Sequence, residues 1–327
     1  MVCKKWRRAT IISICVTIAI VVTVLALVAV AVYDSIEVKR AAQSAIGQPF
    51  DLPAPQTLTL PSPPTEMHNL NTDFARFAAD LVVRLESKLL TPPNQLTQSF
   101  VFNSKYGTNN AWLLRAKTDG HIWLVFRGTS TKEEWNKDFE MQQVPFITRV
   151  FSSNTRRVLY PKMSMTGQVA ADVLPPEAQV HTGFLDVYMS MRDALMCVVE
   201  QNTDATRVCV TGHSLGGALA QIAAYDIAHT FPNLSMDVVA FGCPRVGNVE
   251  FSSGLVGLPN LNSLVLIANT CDIVTNLPLA VQPSRSSPPL IYVHPAEAVH
   301  AFTENRTTWT ANHMMGIYAD YLVGVIV

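Results

Sequence analysis

Charge is what this 327-residue sequence has least of: 24 lysines and arginines against 25 acids make up 15% of it, with a net charge of −1. Nothing in that balance offers a basic field to nucleic acid or an acidic tail to a basic partner. The G-x-x-x-x-G-K-[ST] phosphate loop and the G-x-G-x-x-G turn are both missing, and so is any zinc-spaced Cys/His set. The sequence therefore implies no metal and no nucleotide or organic cofactor. Cysteine is sparse too: the six residues are too scattered to staple a domain this large. Three of Cys197, Cys209, Cys243 and Cys271 fall in apolar runs, where a thiol serves as a small hydrophobe.

Apolar residues, by contrast, make up 49% of the chain, and they are unevenly spread. Ala9 to Tyr33 is a run of 25 residues without a formal charge. As a helix it would reach roughly 37 Å, beyond the ~30 Å hydrocarbon core of a bilayer. Lys4, Lys5, Arg7 and Arg8 precede it, while the charges at Asp34, Glu37, Lys39 and Arg40 cancel. The positive-inside rule then predicts a cytosolic segment 1–8, a membrane-spanning signal anchor 9–33 and a lumenal or extracellular remainder. The rival reading is a cleaved signal peptide, because Ala29-Val30-Ala31 has the small-x-small pattern of a cleavage site, and cleavage would release a secreted protein. Signal-peptide cores span only about 7–15 residues, which favours the anchor. Export would make Asn233-Leu-Ser and Asn305-Arg-Thr glycosylation sequons.

Residues 47–64 hold six prolines, a density that forbids a sheet interior. Residues 34–64 are accordingly expected to form a stalk, and the folded domain to span 65–327. Within it, Asn71–Leu90 carries Phe74, Phe77, Leu81, Leu85 and Leu89 at helical spacing, with Thr72 or Asp73 as cap. Ala111–Ala116 and His121–Phe126 flank an Asp-Gly loop and predict a hairpin. Helices over Phe184–Glu200 and Leu215–His229 then alternate with strand-like runs at Arg207–Thr211, Met236–Phe241 and Ser263–Ala268. This alternation predicts an α/β fold, a mostly parallel central sheet with helices on both faces.

The run from Val208 to Ala218 joins a predicted strand directly to a predicted helix and contains Gly212-His213-Ser214-Leu215-Gly216, the G-x-S-x-G of a nucleophile elbow. A serine at so sharp a turn needs glycine two residues to either side, where a side chain would strike backbone. The helix N-terminus beyond it favours developing negative charge. A serine hydroxyl also needs a base, and the base an orienting carboxylate. In this architecture both follow the serine, acid first. Asp272 alone among the later acids directly follows a predicted parallel strand, and His294, His300 and His313 are the histidines beyond it.

Five blocks in this order resemble the class 3 lipases, typified by the triacylglycerol lipases of filamentous fungi: Val125-Phe126-Arg127-Gly128-Thr129, His181-Thr182-Gly183-Phe184, Gly212 to Gly217, Phe241 to Asn248, and Asn269 to Val274. The resemblance covers about residues 70–322 and implies the α/β-hydrolase fold. It makes Asp272 the triad acid and His313 the base. The family often has tyrosine three residues after that histidine, whereas here Gly316 stands there and tyrosine comes at 318. The resemblance also implies an oxyanion hole from the backbone N–H groups of Leu215 and Thr129, with Arg127 bracing the loop. It implies a short helical lid over Thr131–Glu140 carrying Trp135 and Asp138, and an apolar series from Met141 to Phe151 continues it. The expected activity is release of fatty acids from acylglycerols at a lipid interface. Phospholipase A1 or diacylglycerol lipase activity is the alternative on this scaffold, and a non-catalytic, membrane-tethered lipid-binding protein is the alternative of a different class.

Overall fold

A computed structural model of the chain describes residues 60–324, apart from 63, 109, 139, 141, 147–177, 203 and 283–288. Residues 1–8, expected to be cytosolic, the predicted anchor at 9–33 and nearly all of the expected stalk lie outside the described residues. Among the described residues no helix is long and apolar enough to cross a membrane. Leu60 already packs on the core, five residues before the expected start at Thr65.

Helix α1 (Thr72–Glu86) is capped by Asn71, one residue before Thr72 and two before Asp73, its side chain accepting from the Phe74 N–H at 3.0 Å. Strands β1 (Leu96–Phe102), β2 (Ala111–Ala116) and β3 (Ile122–Phe126) form an antiparallel meander, and β2–β3 is the predicted hairpin. A short helix α2 (Lys132–Asp138) and the strand pair β4 (Gln143–Pro145) and β5 (Gln179–His181) follow. The parallel part comprises α3 (Thr182–Gln201), β6 (Arg207–His213), α4 (Leu215–Thr230), β7 (Ser235–Phe241), α5 (Val249–Val256) and β8 (Leu261–Asn269). A small hairpin of β9 (Val281–Gln282) and β10 (Leu290–Ile291) precedes β11 (Val299–Phe302), α6 (Trp309–Asn312) and α7 (Met315–Leu322).

The seven-stranded sheet runs β1-β2-β3-β6-β7-β8-β11, and from β3 onward every neighbour is parallel. Its strands alternate inward residues between two cores, as the two-residue period of a strand requires. Leu124, Val210, Val238 and Leu264 face α3, α4 and α5. Trp123, Val125, Val239 and Val265 face α1 and α7, and Trp123 lies 5.0 and 4.9 Å, ring to ring, from Phe74 and Phe77. Each such buried side chain contributes about 1.5–3 kcal/mol. Because both faces are covered, β6 and β7 are buried along almost their whole length, which explains why they read as continuous apolar runs. The carboxyl ends of β6, β7 and β8 open on one edge of the sheet, where ligands bind in open α/β folds.

Candidate active site

Ser214 sits at the turn between β6 and α4 with φ +56° and ψ −126°, in the region that side chains disfavour. The flanking glycines make this turn possible. A Cβ on Gly212 would overlap the Gly216 carbonyl, and one on Gly216 would overlap the Phe126 and Arg127 carbonyls at the end of β3. The turn is therefore pressed against the strand that leads to Thr129.

His313, between α6 and α7, places Nε2 2.8 Å from Ser214 Oγ and Nδ1 2.6 Å from Asp272 Oδ2. Asp272 follows β8 and is fully buried; its Oδ1 accepts from the Val274 N–H at 2.9 Å. Burial alone would raise the Asp272 pKa. The His313 ring, the Tyr318 hydroxyl and the Val274 N–H outweigh burial and hold it below the ordinary aspartate value. The structure thus brings Ser214, His313 and Asp272 into one hydrogen-bonded chain, though 99 and 41 residues separate their pairs.

His294, His300, Asp226 and Asp237 are engaged elsewhere. His300 lies on β11 and bonds the His68 carbonyl, and His294 bonds the Thr275 carbonyl. Asp226 is taken by Arg192 and Tyr188 between α3 and α4, and Asp237 by Arg207.

Leu215 is the first residue of α4, where a backbone N–H has no acceptor within the helix. Across from it, the loop after β3 is held by a buried ion pair. Arg127 donates to Glu134 at 2.9 and 3.0 Å and to the Thr108 and Gly128 carbonyls, and Glu134 also accepts from the Ser130 and Thr131 N–H groups. The Thr129 hydroxyl donates to Asp138 Oδ2 at 2.7 Å. Enclosure pushes the Asp138 pKa up to about 8, the nearby Glu134 charge adds to this, and the Thr129 hydrogen bond opposes it.

Residues 123–282 match the model of the family described as lipase (class 3). This segment belongs to the class 3 lipases. The chain is 32% identical to the lipase of Rhizomucor miehei over 179 residues, which is 52% of this chain and 41% of that one. It is 36% identical to the phospholipase A(1) DAD1 of Arabidopsis thaliana over 174 residues, covering 50% of this chain and 35% of the other. The chain thus spans less than half the length of these curated relatives. Among solved structures, a Rhizomucor miehei lipase–propeptide complex superposes with a TM-score of 0.50 at 24% identity, over 68% of this chain and 72% of that one, a likeness of fold.

Three features around this site are not visible in the sequence motifs. Tyr318, on α7, donates its hydroxyl to Asp272 Oδ2 at 2.5 Å, so the tyrosine five residues after His313 reaches the acid. Helix α2 is fastened at both ends: Glu134 is fully buried, and Gly183 lies so close to the Lys137 carbonyl that a Cβ would overlap it. Of Trp135 only the backbone, within α2, is described. Phe146, expected in the apolar continuation of a lid, is instead fully buried, 5.0 Å from the Tyr225 ring and 5.4 Å from the Phe251 ring. The third feature is Glu86, at the end of α1, which bonds His213 and the Gly128 N–H. The four described cysteines are unpaired, with Cys209 and Cys243 buried.

Proposed function

We propose that the chain hydrolyses fatty-acid esters of acylglycerol lipids through an acyl-enzyme. The carrying observation is the hydrogen-bonded chain Ser214–His313–Asp272 beside a helix N-terminus. His313 takes the Ser214 proton as Oγ attacks the ester carbonyl, and Asp272 orients and stabilises the imidazolium. The N–H groups of Leu215 and Thr129 receive the oxyanion. His313 then hands its proton to the departing alcohol, and water, activated by the same histidine, frees the fatty acid.

A lipid substrate is favoured by the apolar residues beside the site. Ile273 and Met314, which directly follow Asp272 and His313, are 46% and 38% exposed. Leu279, Val281 and Ile291, on the β9–β10 hairpin and the loop before it, are also exposed. Because a relative matched at 36% identity is a phospholipase A(1), glycerophospholipid is the second substrate to test. The apolar run at 9–33 would anchor this activity to a membrane from the exported side. Asn233 and Asn305 are both exposed and so would be open to glycosylation there.

The test is oleate release by the full chain from triolein, diolein and phosphatidylcholine, each beside Ser214→Ala. Serine-dependent release from the glycerides is expected, and the ranking assigns the lipid class. A folded protein that binds these lipids and releases nothing would be a tethered binding protein instead.

A further inference from the structure

The residue before the nucleophile takes part in a second histidine–carboxylate pair, which lies beside the first. His213 Nδ1 is 2.9 Å from Glu86 Oε1, and His213 Nε2 is 2.7 Å from the backbone carbonyl of His313. The same Glu86 oxygen accepts the Gly128 N–H at 3.1 Å, one residue before the Thr129 donor. The two histidine rings lie 4.7 Å apart. A Cβ at Gly128 would lie 3.0 Å from Glu86 Oε1 and 3.4 Å from His213 Nδ1, close enough to push on both.

We propose that Glu86 and His213 are positioning residues for the hydrolysis, an ionised bridge that ties the oxyanion loop at Gly128 to the backbone of His313. This role rests on the ester-hydrolase reading above.

The His313 carbonyl can only accept, so His213 Nε2 carries a proton. With Glu86 ionised, Oε1 accepts from both the Gly128 N–H and His213 Nδ1, and His213 is an imidazolium facing a carboxylate. Burial would depress the His213 pKa, but the Glu86 charge and hydrogen bond, with Asp272 and the His313 carbonyl, hold it above the ordinary histidine value. For Glu86, burial would raise the pKa, and His213 and the Gly128 N–H reverse that. The groups facing His213 are Glu86 from α1, Asp272 after β8, His313, and Tyr318 from α7, whose ring is 5.9 Å away.

Two consequences follow for the reaction. Loss of the second His213 proton would leave a bare nitrogen against the His313 carbonyl and break the tie between base and oxyanion loop. The Glu86 charge also offsets the His213 charge at the moment His313 becomes an imidazolium beside it, a like-charge contact that would otherwise oppose proton transfer.

The experiment compares the full chain with Glu86→Gln, which keeps the shape and removes the charge, and with Glu86→Asp, which keeps the charge. The kcat and KM for p-nitrophenyl butyrate are measured from about pH 5 to 10, spanning both limbs of the profile. For Glu86→Gln, kcat is expected to fall roughly tenfold with KM unchanged, and its alkaline limb to move about one unit lower. Glu86→Asp should return that limb toward its original position. Imidazole nitrogen NMR of Ser214→Ala should show His213 protonated on both nitrogens at neutral pH, and on one when Glu86→Gln is added. Superimposable kcat profiles, or a neutral His213 beside an intact Glu86, overturn the proposal alone. Turnover that survives Ser214→Ala overturns the hydrolase reading and the proposal with it.

Discussion

Asp272 Oδ2 receives two hydrogens, one from the His313 ring and one from the Tyr318 hydroxyl. Removing the second leaves an acid that binds its proton more readily, since Tyr318 is one of the groups holding the Asp272 pKa down. Tyr318→Phe should therefore move the acid limb of kcat to higher pH and lower kcat by roughly three- to tenfold. A profile unchanged in position would remove Tyr318 from the site. Asp138 makes the opposite case. Its pKa is raised from 3.8 to about 8, so between those values the folded state holds a proton that the unfolded chain has released. Its contribution to stability is complete below pH 3.8 and is lost as pH rises through 8. Asp138→Asn should accordingly raise Tm at pH 7.5 and leave it unchanged near pH 4; an equal Tm at both values would contradict the buried neutral acid. Ser214 was legible because its glycines are local in sequence. Glu86 and Tyr318 were not, since α1 and α7 are periodic helices whose spacing marks only their apolar faces. Their polar partners lie 127 and 46 residues away.

Helix α2 is the element that the resemblance makes a short helical lid. Its Glu134 is fully buried against Arg127, and its C-terminal end abuts Gly183. A charge so placed is a fixed anchor. Breaking such a pair on one side leaves an uncompensated buried charge, so Glu134→Gln should cost about 3–5 kcal/mol in urea unfolding. Activity should fall with it, because the Ser130 and Thr131 N–H groups that shape the Thr129 loop lose the same carboxylate; a loss under about 1 kcal/mol would show that the loop has other support. Strands β6, β7 and β8 and helices α3 and α4 were readable because burial on both faces, or along one stripe, leaves a plain apolar pattern. The edge strands β1 and β11 were not: Leu96–Phe102 is interrupted by Thr97, Gln98 and Ser99, and Val299–Phe302 is four residues long with a histidine inside. Edge strands are half solvated and so lack the apolar run that marks a central one.

For the whole molecule, strong acid removes the contribution of two carboxylates. Asp272 and Glu86 both lie below their ordinary values of 3.8 and 4.5. A carboxylate of that kind contributes stability that is present above its unfolded value and disappears as pH falls through the folded one. In Asp138→Asn, where the opposite trend of that carboxyl is removed, the urea midpoint should therefore fall below about pH 4, with a shallower fall when Glu86→Gln is added. A midpoint independent of pH down to about 3 would contradict both shifts.

The order of the site's parts along the chain has a consequence for how the protein is made. Ser214 and Asp272 leave the ribosome well before His313, and β11 and α6, which bring that histidine into place, lie between Asp272 and it. Until β11 and α6 are folded, the nascent chain carries a serine without its base. The nucleophile of this chain thus stays without its base until the segments that follow Asp272 have folded, which keeps the partly made protein inert.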